Sequence, residues 1–545
     1  MAGGNSACDT RRASRRAASR RRRVVVSAHR RTAWAGLLAA SLLLVGWTRA
    51  ASRNDRLVVA LHPEREFQVI HSFAASDAWS VQFLGKYWPA SQRERAADLL
   101  FSSRFGADGS PIGIGLSAYR FEIGAGSASP GDSSRINDRW RRATGFLQHD
   151  GAYDWTQQEG QRAFMRAAKA RGVDTFIGFV NSPPTALTRN GRANSSGGDS
   201  ANLAPARYAD FAGFLTAAVI EIERRDGIRL DYLSPFNEPQ WDWQSGQEGS
   251  PWRVDEMAAM TRTLSSALLA AHLPTKISVG ESGRMNYVYE KADKPTRGEQ
   301  VQAWFGRQSP SYIGNLPNVV HAIAAHSYHT TFPRDTLRAV RTRLHEALAS
   351  VDPTLEFWQT EYCVLETTPH IRGRGRDSTI DAALYIAGII HADLVYAQAS
   401  TWHWWIAVTP YDFKDGLLYM DRDTLTGTVR DTKMLWAMGH FSRFVRPGMR
   451  RIGVDVTGPG ADSLDAELQV SAYRDSTANT VTVLANRSSS DRDVELRARP
   501  TTPMRIYRTT NQAGVNLSYS GIVRPGETLR MPARSLATLV SVRDR

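Results

Sequence analysis

The chain holds only two cysteines in 545 residues. Cys8 falls in an Arg-rich N-terminal leader, so the rest of the chain keeps Cys363 alone and no intrachain disulfide can form there. None is needed, because a chain of this length with 42% hydrophobic and 9% aromatic residues can bury a large core unaided. Cys363 ends an apolar run with no histidine placed nearby to activate it, which reads as a small core residue rather than a nucleophile.

Basic charge is scarce beyond the leader. The formal net charge is +14, but the thirteen Arg and two Asp of residues 1–56 account for +11 of it and leave +3 for everything after. That distribution excludes the cationic face of a nucleic-acid binder. Long apolar runs are lacking too. Trp34–Trp47 falls short of the roughly 20 apolar residues that span a bilayer, and it lies between an Arg-rich segment (Arg11–Arg31) and small residues at Ala50 and Ala51. This is the layout of an export signal over 1–51, with secretion or delivery to the periplasm as its consequence and a retained N-terminal anchor as the alternative. Arg30 and Arg31 permit a twin-arginine route. After cleavage no stable membrane partner is expected, and the chain reads as a monomer. Internal repeats and heptads are absent.

What is present is an alternation of short apolar runs with longer amphipathic ones from Phe67 to Val408. It predicts eight βα units, hence an α/β (β/α)8 barrel over 67–446, with strands near 69–75, 114–123, 174–180, 232–237, 276–280, 320–327, 355–360 and 400–407. A helix over Thr156–Arg171 with Thr156 as N-cap, and another ending at Asp226-Gly227, fill two of the gaps. Past Arg446-Pro447-Gly448 the helical period gives way to short alternating strands, predicting a β-sandwich over 447–545, with 56–61 as an added strand.

Two carboxylates stand at predicted strand ends. Leu230–Trp243 (LDYLSPFNEPQWDW) runs from apolar residues into Glu238, where Pro239 cannot continue a ladder, and Thr354–Cys363 (TLEFWQTEYC) delivers Glu361. Either alone reads as an ordinary paired strand-end acid. Together, at the ends of barrel strands four and seven and among aromatic residues, they are what glycoside hydrolysis requires, without a metal or cofactor. Arg120 late in strand two could orient Glu361, or form a purely structural ion pair. His326 and Tyr328 end strand six, where Tyr328 could donate to Glu361 and His326 could touch sugar or sit satisfied in the core. Strand eight, Thr401-Trp402-His403-Trp404-Trp405, points indoles to both faces, and Trp404 is taken as the sugar platform, with Trp79, Trp241 and Trp243 at the rim.

With these residues in view the chain resembles glycoside hydrolase family 30 over about residues 57–545. The matching motifs are Ser76-Asp77-Ala78-Trp79, Asn181-Ser182-Pro183-Pro184, Ser234-Pro235-Phe236-Asn237-Glu238-Pro239, Trp358-Gln359-Thr360-Glu361-Tyr362-Cys363 and Gly439–Gly448 (GHFSRFVRPG). The resemblance implies a retaining enzyme in which Glu238 is the acid/base, Glu361 the nucleophile and Asn237 a ligand of the sugar 2-hydroxyl, with Asp77 and Asn181 also on the substrate. Pro239-Gln240-Trp241 and Gln247-Glu248-Gly249 are similar to the acid/base loop of endo-β-1,6-galactanases, implying arabinogalactan side chains as substrate. A β-1,6-glucan, a glucuronoxylan, or carbohydrate binding without turnover are the alternatives. One departure is Glu122, where the resemblance leads to Asn.

Overall fold

The computed structural model describes residues 56–459, 467–497, 502–524 and 526–542. The expected export leader, 1–51, lies outside the described residues. Among them, no helix is long and apolar enough to cross a membrane.

The chain opens with β1 (Leu57–Val69) and then lays down the barrel: β2 (Ser72–Ser76), β3 (Ala118–Glu122), β4 (Thr175–Phe179), β5 (Tyr232–Ser234), β6 (Lys276–Ser282), β7 (Val319–His326), β8 (Glu356–Glu361) and β9 (Ala399–Thr409). These eight pair in parallel and in sequence, and pairing of β8 with β9 and of β9 with β2 closes the ring. The fold is therefore a (β/α)8 barrel. β9 continues past the rim, where Ile406–Thr409 pairs with β10 (Gly416–Met420), itself edged by β11 (Val429–Asp431). Every residue of β9 is buried, which is why indoles stand on both of its faces instead of alternating with exposed polar residues.

Helix packing follows the sequence pattern. The helix Arg334–Val351 fully buries Arg341, Leu344 and Leu348 and packs Leu337, Val340 and Val351 beside them, whereas Ile380–Val395 is buried on nearly all sides because it lies between the barrel and the second β domain. The helix expected over Thr156–Arg171 is shorter, Glu159–Lys169. Thr156 is not its cap, because its hydroxyl turns back to donate to Asp154 Oδ1 at 2.6 Å.

The second domain is one nine-stranded sheet built from β1, β12 (Arg450–Thr457), β13 (Leu468–Arg474), β14 (Thr480–Asn486), β15 (Arg492–Arg497), β16 (Met504–Thr509), β17 (Ser518–Val523), β18 (Thr528–Met531) and β19 (Ser535–Ser541). All neighbours are antiparallel except β1 and β15, so the N-terminal strand is an internal member of a sheet otherwise made from the end of the chain. Strands from both ends of the sheet order meet in one apolar core holding Val59, Leu484, Val494, Met504, Leu529 and Leu539. The two-residue period gives this sheet a second apolar face. Val481, Val483 and Ala485 of β14 and Tyr507 of β16 join the barrel core while Leu484 and Ile506 face the domain's own.

His440, on the helix Lys433–Ser442, fixes this junction. Its ring nitrogens meet Thr538 Oγ1 at 2.8 Å and Thr509 Oγ1 at 2.9 Å, and burial pulls the imidazole down to about 3. The buried ring therefore stays neutral while an unfolded histidine protonates near 6.5, so this residue withdraws stability as pH falls from about 6.5 toward 3. Replacing His440 by Gln is expected to cost about 1–3 kcal/mol at neutral pH. The gap between the thermal midpoints of the two proteins should narrow between pH 7 and 4, because only the wild type carries the histidine penalty.

Candidate active site

The ends of five barrel strands bring together one group of charged side chains. β3 contributes Arg120, the segment after β5 contributes Asn237 and Glu238, β6 contributes Glu281 one residue before its end, β7 ends on His326 with Tyr328 beyond, and β8 ends on Glu361. β5 stops at Ser234 because Pro235 cannot continue its ladder, and the segment that follows leaves Glu238 in the left-handed region at φ 42°. Three bonds hold that conformation, the Glu238 amide to Glu281 O at 2.8 Å, the Trp241 amide to Glu238 O at 3.1 Å and Trp243 Nε1 to Glu238 O at 3.0 Å. Glu281 is also left-handed, at φ 54°. The residue before it must be glycine, since a Cβ on Gly280 would stand 2.3 Å from Ala324 O on β7.

Arg120 is fully buried and stacks 3.8 Å from the Phe179 ring centre. Its Nη1 donates to Glu361 Oε2 at 2.7 Å and its Nη2 to Glu281 Oε2 at 3.1 Å, with Asn237 Oδ1 at 3.5 Å. His326 lies between carboxylates, Nδ1 at 3.0 Å from Glu238 Oε1 and Nε2 at 2.9 Å from Glu281 Oε2. Tyr328 donates its hydroxyl to Glu361 Oε1 at 3.1 Å. Glu238, His326 and Glu361 each place one polar atom within 4.8 Å of the other two. That puts the two glutamates on the close side of the division between retaining pairs, about 5–5.5 Å apart, and inverting pairs, about 6.5–9.5 Å.

Burial works against every charge in this group, and the partners decide the outcome. Burial alone would raise Glu281, but Arg120 and His326 overcome it and hold the carboxyl down at about 2. Burial would lower His326, but Glu361, Glu238 and Glu281 together raise it to about 10, so the ring is an imidazolium. Glu361 is pushed up by burial against the pull of His326 and Arg120. Two donors, Arg120 Nη1 and the Tyr328 hydroxyl, face the Glu361 oxygens and favour its ionised form. An imidazolium has no free lone pair, so the chemistry of Glu238, His326 and Glu361 does not fit a metal ion despite their spacing.

Residues 56–419 match O-Glycosyl hydrolase family 30. The chain belongs to that family. Family 30 makes it a retaining O-glycosyl hydrolase, with a glycoside as substrate. It is 23% identical over 428 residues to an endo-β-1,6-galactanase of Hypocrea rufa, covering 75% of this chain and 78% of that protein. A conserved exported protein from Bacteroides fragilis superimposes with a TM-score of 0.83 at 35% identity, covering 89% of this chain and all of the other. The catalytic domain of xylanase C from Talaromyces cellulolyticus, a family 30 structure, shares the fold with a TM-score of 0.63 at 20% identity, again over 89% of this chain and all of the other.

The rest of the family 30 site departs from the sequence reading in several places. Trp404 is not a platform. It is fully buried with the outward parity of β9, donating Nε1 to Asp415 O at 2.6 Å and packing on Trp402 and Tyr362. The indole of opposite parity is Trp405, whose ring lies 6.4 Å from Phe179, the ring on which Arg120 stacks. Trp79 is no rim residue either: it is 3% exposed, edge-on to Trp405 at 5.3 Å. Asp77 has no exposed surface and its oxygens are engaged by Tyr119, Gln161 and the Glu122 amide, so it braces the strand ends instead of meeting substrate. Burial raises it to about 7 against those bonds. Trp241 does sit half-exposed, with Arg284 and Lys294 over its ring and Trp243 beside it on the same loop.

Asn181 donates Nδ2 to Glu122 Oε1 at 2.7 Å, so the departure from Asn at position 122 is matched by a partner one strand away. Burial, with Glu248 and Asp77 nearby, raises Glu122 well above the usual carboxylate range. Glu122 Oε2, Asn181 Oδ1 and Trp79 Nε1 are buried polar atoms with no hydrogen-bond partner among the described residues. Glu248 is a buried anchor of this side, accepting the Ala125 amide at 2.9 Å and the Ser127 amide at 3.0 Å. Sequence reasoning missed Glu281 and Trp405. Glu281 had a signal, an acid closing the apolar run Ile277–Val279, but Gly280 reads as the end of the strand and hides it.

Proposed function

We propose that this family 30 hydrolase is an exported endo-β-1,6-galactanase acting on arabinogalactan side chains, with Glu361 as nucleophile and Glu238 as acid/base. The observation that carries the roles is the asymmetric setting of two close carboxylates. Glu361 is held by Arg120 and Tyr328, whereas the Glu238 carboxyl, among the described residues, hydrogen-bonds to the imidazolium of His326 alone and, at 7% exposure, is the more open of the pair. In the first step a Glu361 oxygen bonds to the anomeric carbon as the bond to the departing oxygen breaks, and the Glu238 proton passes to that oxygen. In the second, a water gives its proton to Glu238 and its oxygen to the anomeric carbon, releasing Glu361. Asn237, 3.5 Å from Arg120 Nη2, is held beside the nucleophile, where the sugar 2-hydroxyl would lie.

The galactan reading is supported by the Hypocrea rufa relative and by the loop Pro239–Trp243. Gln240 locks that loop, donating to Ser282 Oγ at 3.2 Å and Arg297 O at 3.0 Å, which leaves Trp241 at the mouth as a surface for sugar rings. The unpartnered Glu122 Oε2, Asn181 Oδ1 and Trp79 Nε1 suit the hydroxyls of a glycone. Export rests on the leader composition. The test is product analysis on de-arabinosylated β-1,6-galactan, β-1,6-glucan and glucuronoxylan. Galactose oligomers from the first alone are expected, release from another polymer would transfer the assignment to it, and binding without release from any would make the protein a carbohydrate-binding one.

A further inference from the structure

We propose that Glu281 is a positioning residue that fixes where the site keeps its one movable proton, a role that rests on the assignments of Glu238 and Glu361 above. Glu281 touches every strand that builds the cluster. Its Oε2 accepts from Arg120 of β3 at 3.1 Å and Thr360 of β8 at 2.8 Å and meets His326 of β7 at 2.9 Å; its Oε1 accepts from Ser234 of β5 at 3.0 Å. Its backbone carbonyl receives the Glu238 amide. It is 1% exposed and too enclosed to meet substrate.

The reason is charge balance. The charged groups facing one another here are Arg120, His326, Glu238, Glu281 and Glu361, together with the neutral Tyr328 and with His403 of β9, which burial keeps uncharged by pulling it down to about 3. Two cations and three carboxyls reach neutrality when one carboxyl carries a proton, and neutrality is what a buried site favours. Glu281 and Glu361 each hold a salt bridge to Arg120, so the proton falls to Glu238. Once Glu361 is glycosylated it loses its charge, and the same count is neutral with Glu238 ionised. Glu281 thus balances both halves of the cycle, proton on Glu238 before transfer and off it afterwards, without touching the sugar.

Without that negative charge, His326 and Glu238 hold their second proton less tightly, and the remaining one prefers the imidazole. In Glu281→Gln the basic limb of kcat/KM on a β-1,6-linked galacto-oligosaccharide is therefore expected to move down by about one pH unit or more. The basic limb with a 2,4-dinitrophenyl glycoside, which needs no acid, should not move with it. Glu281→Asp, which retains the charge, should keep the wild-type limb even where its rate is lower. An unmoved limb in a folded Glu281→Gln overturns the proposal. Should that variant not fold, histidine ¹⁵N NMR of the wild type decides: His326, assigned by its loss in His326→Asn, is expected as an imidazolium at pH 8, and a neutral ring there overturns it. The NMR reads the proton directly, so it stands apart from whether the polymer or the catalytic roles are correctly assigned.

Discussion

Glu361→Gln is expected to lower turnover on every glycoside by on the order of 10^5-fold or more, with the protein still folded and still binding sugar. The amide keeps the shape of the carboxyl but cannot form the covalent intermediate. It also leaves Arg120 with one carboxylate in place of two, since Glu361 Oε2 is 2.7 Å from its Nη1. Because Glu281 still holds the guanidinium, the side chain should stay in place and binding should survive. Residual hydrolysis within about tenfold of the wild type would remove Glu361 from the nucleophile role, and a balance of initial rate against bound ligand separates that result from misfolding.

The second large effect belongs to Glu238. Glu238→Gln should lose about 10^2–10^4-fold on substrates whose leaving oxygen must be protonated, the usual worth of a placed acid. It should keep a near-normal glycosylation step on 2,4-dinitrophenyl glycosides, followed by slow deglycosylation, so a burst of nitrophenolate precedes a low steady state. The backbone turn at Glu238 is held by its amide and carbonyl, not by the carboxyl, so the substitution should leave the loop in place. Azide, which attacks the anomeric carbon without base assistance, should raise the steady rate. Equal losses on both substrate types would contradict the assignment.

How much of this was readable beforehand differs between fold and site. All eight barrel strands could be placed because each is a buried apolar run bounded by polar segments, and β8 and β9 were located to within about two residues. The side domain was legible as alternating strands near 468–473, 480–485, 493–498 and 536–542, which are β13, β14, β15 and β19, but β12, β16, β17 and β18 were not. Arg450–Thr457 mixes charged and apolar residues because one end is exposed, and its pairing with β1 lies nearly four hundred residues away in sequence. Glu238, Glu361, Arg120, His326 and Tyr328 were legible because a strand end fixes where a side chain goes. Trp404 and Trp405 were not separable, since parity in β9 depends on register with β2 and β8, and a shift between Ala75 and Ser76 interrupts that register. Glu281 was hidden for a related reason. Gly280 is needed for close approach to Ala324, not to end the strand, and only the neighbouring strand shows the difference.

The most direct test of the catalytic account is to trap the intermediate. Incubation with a 2-deoxy-2-fluoro-β-1,6-galactobiosyl fluoride, followed by proteolysis and peptide mass mapping, should place one fluorogalactobiosyl group on the peptide carrying Glu361, with activity returning as the adduct turns over. A label on Glu238, Glu281 or any other carboxylate would contradict the account.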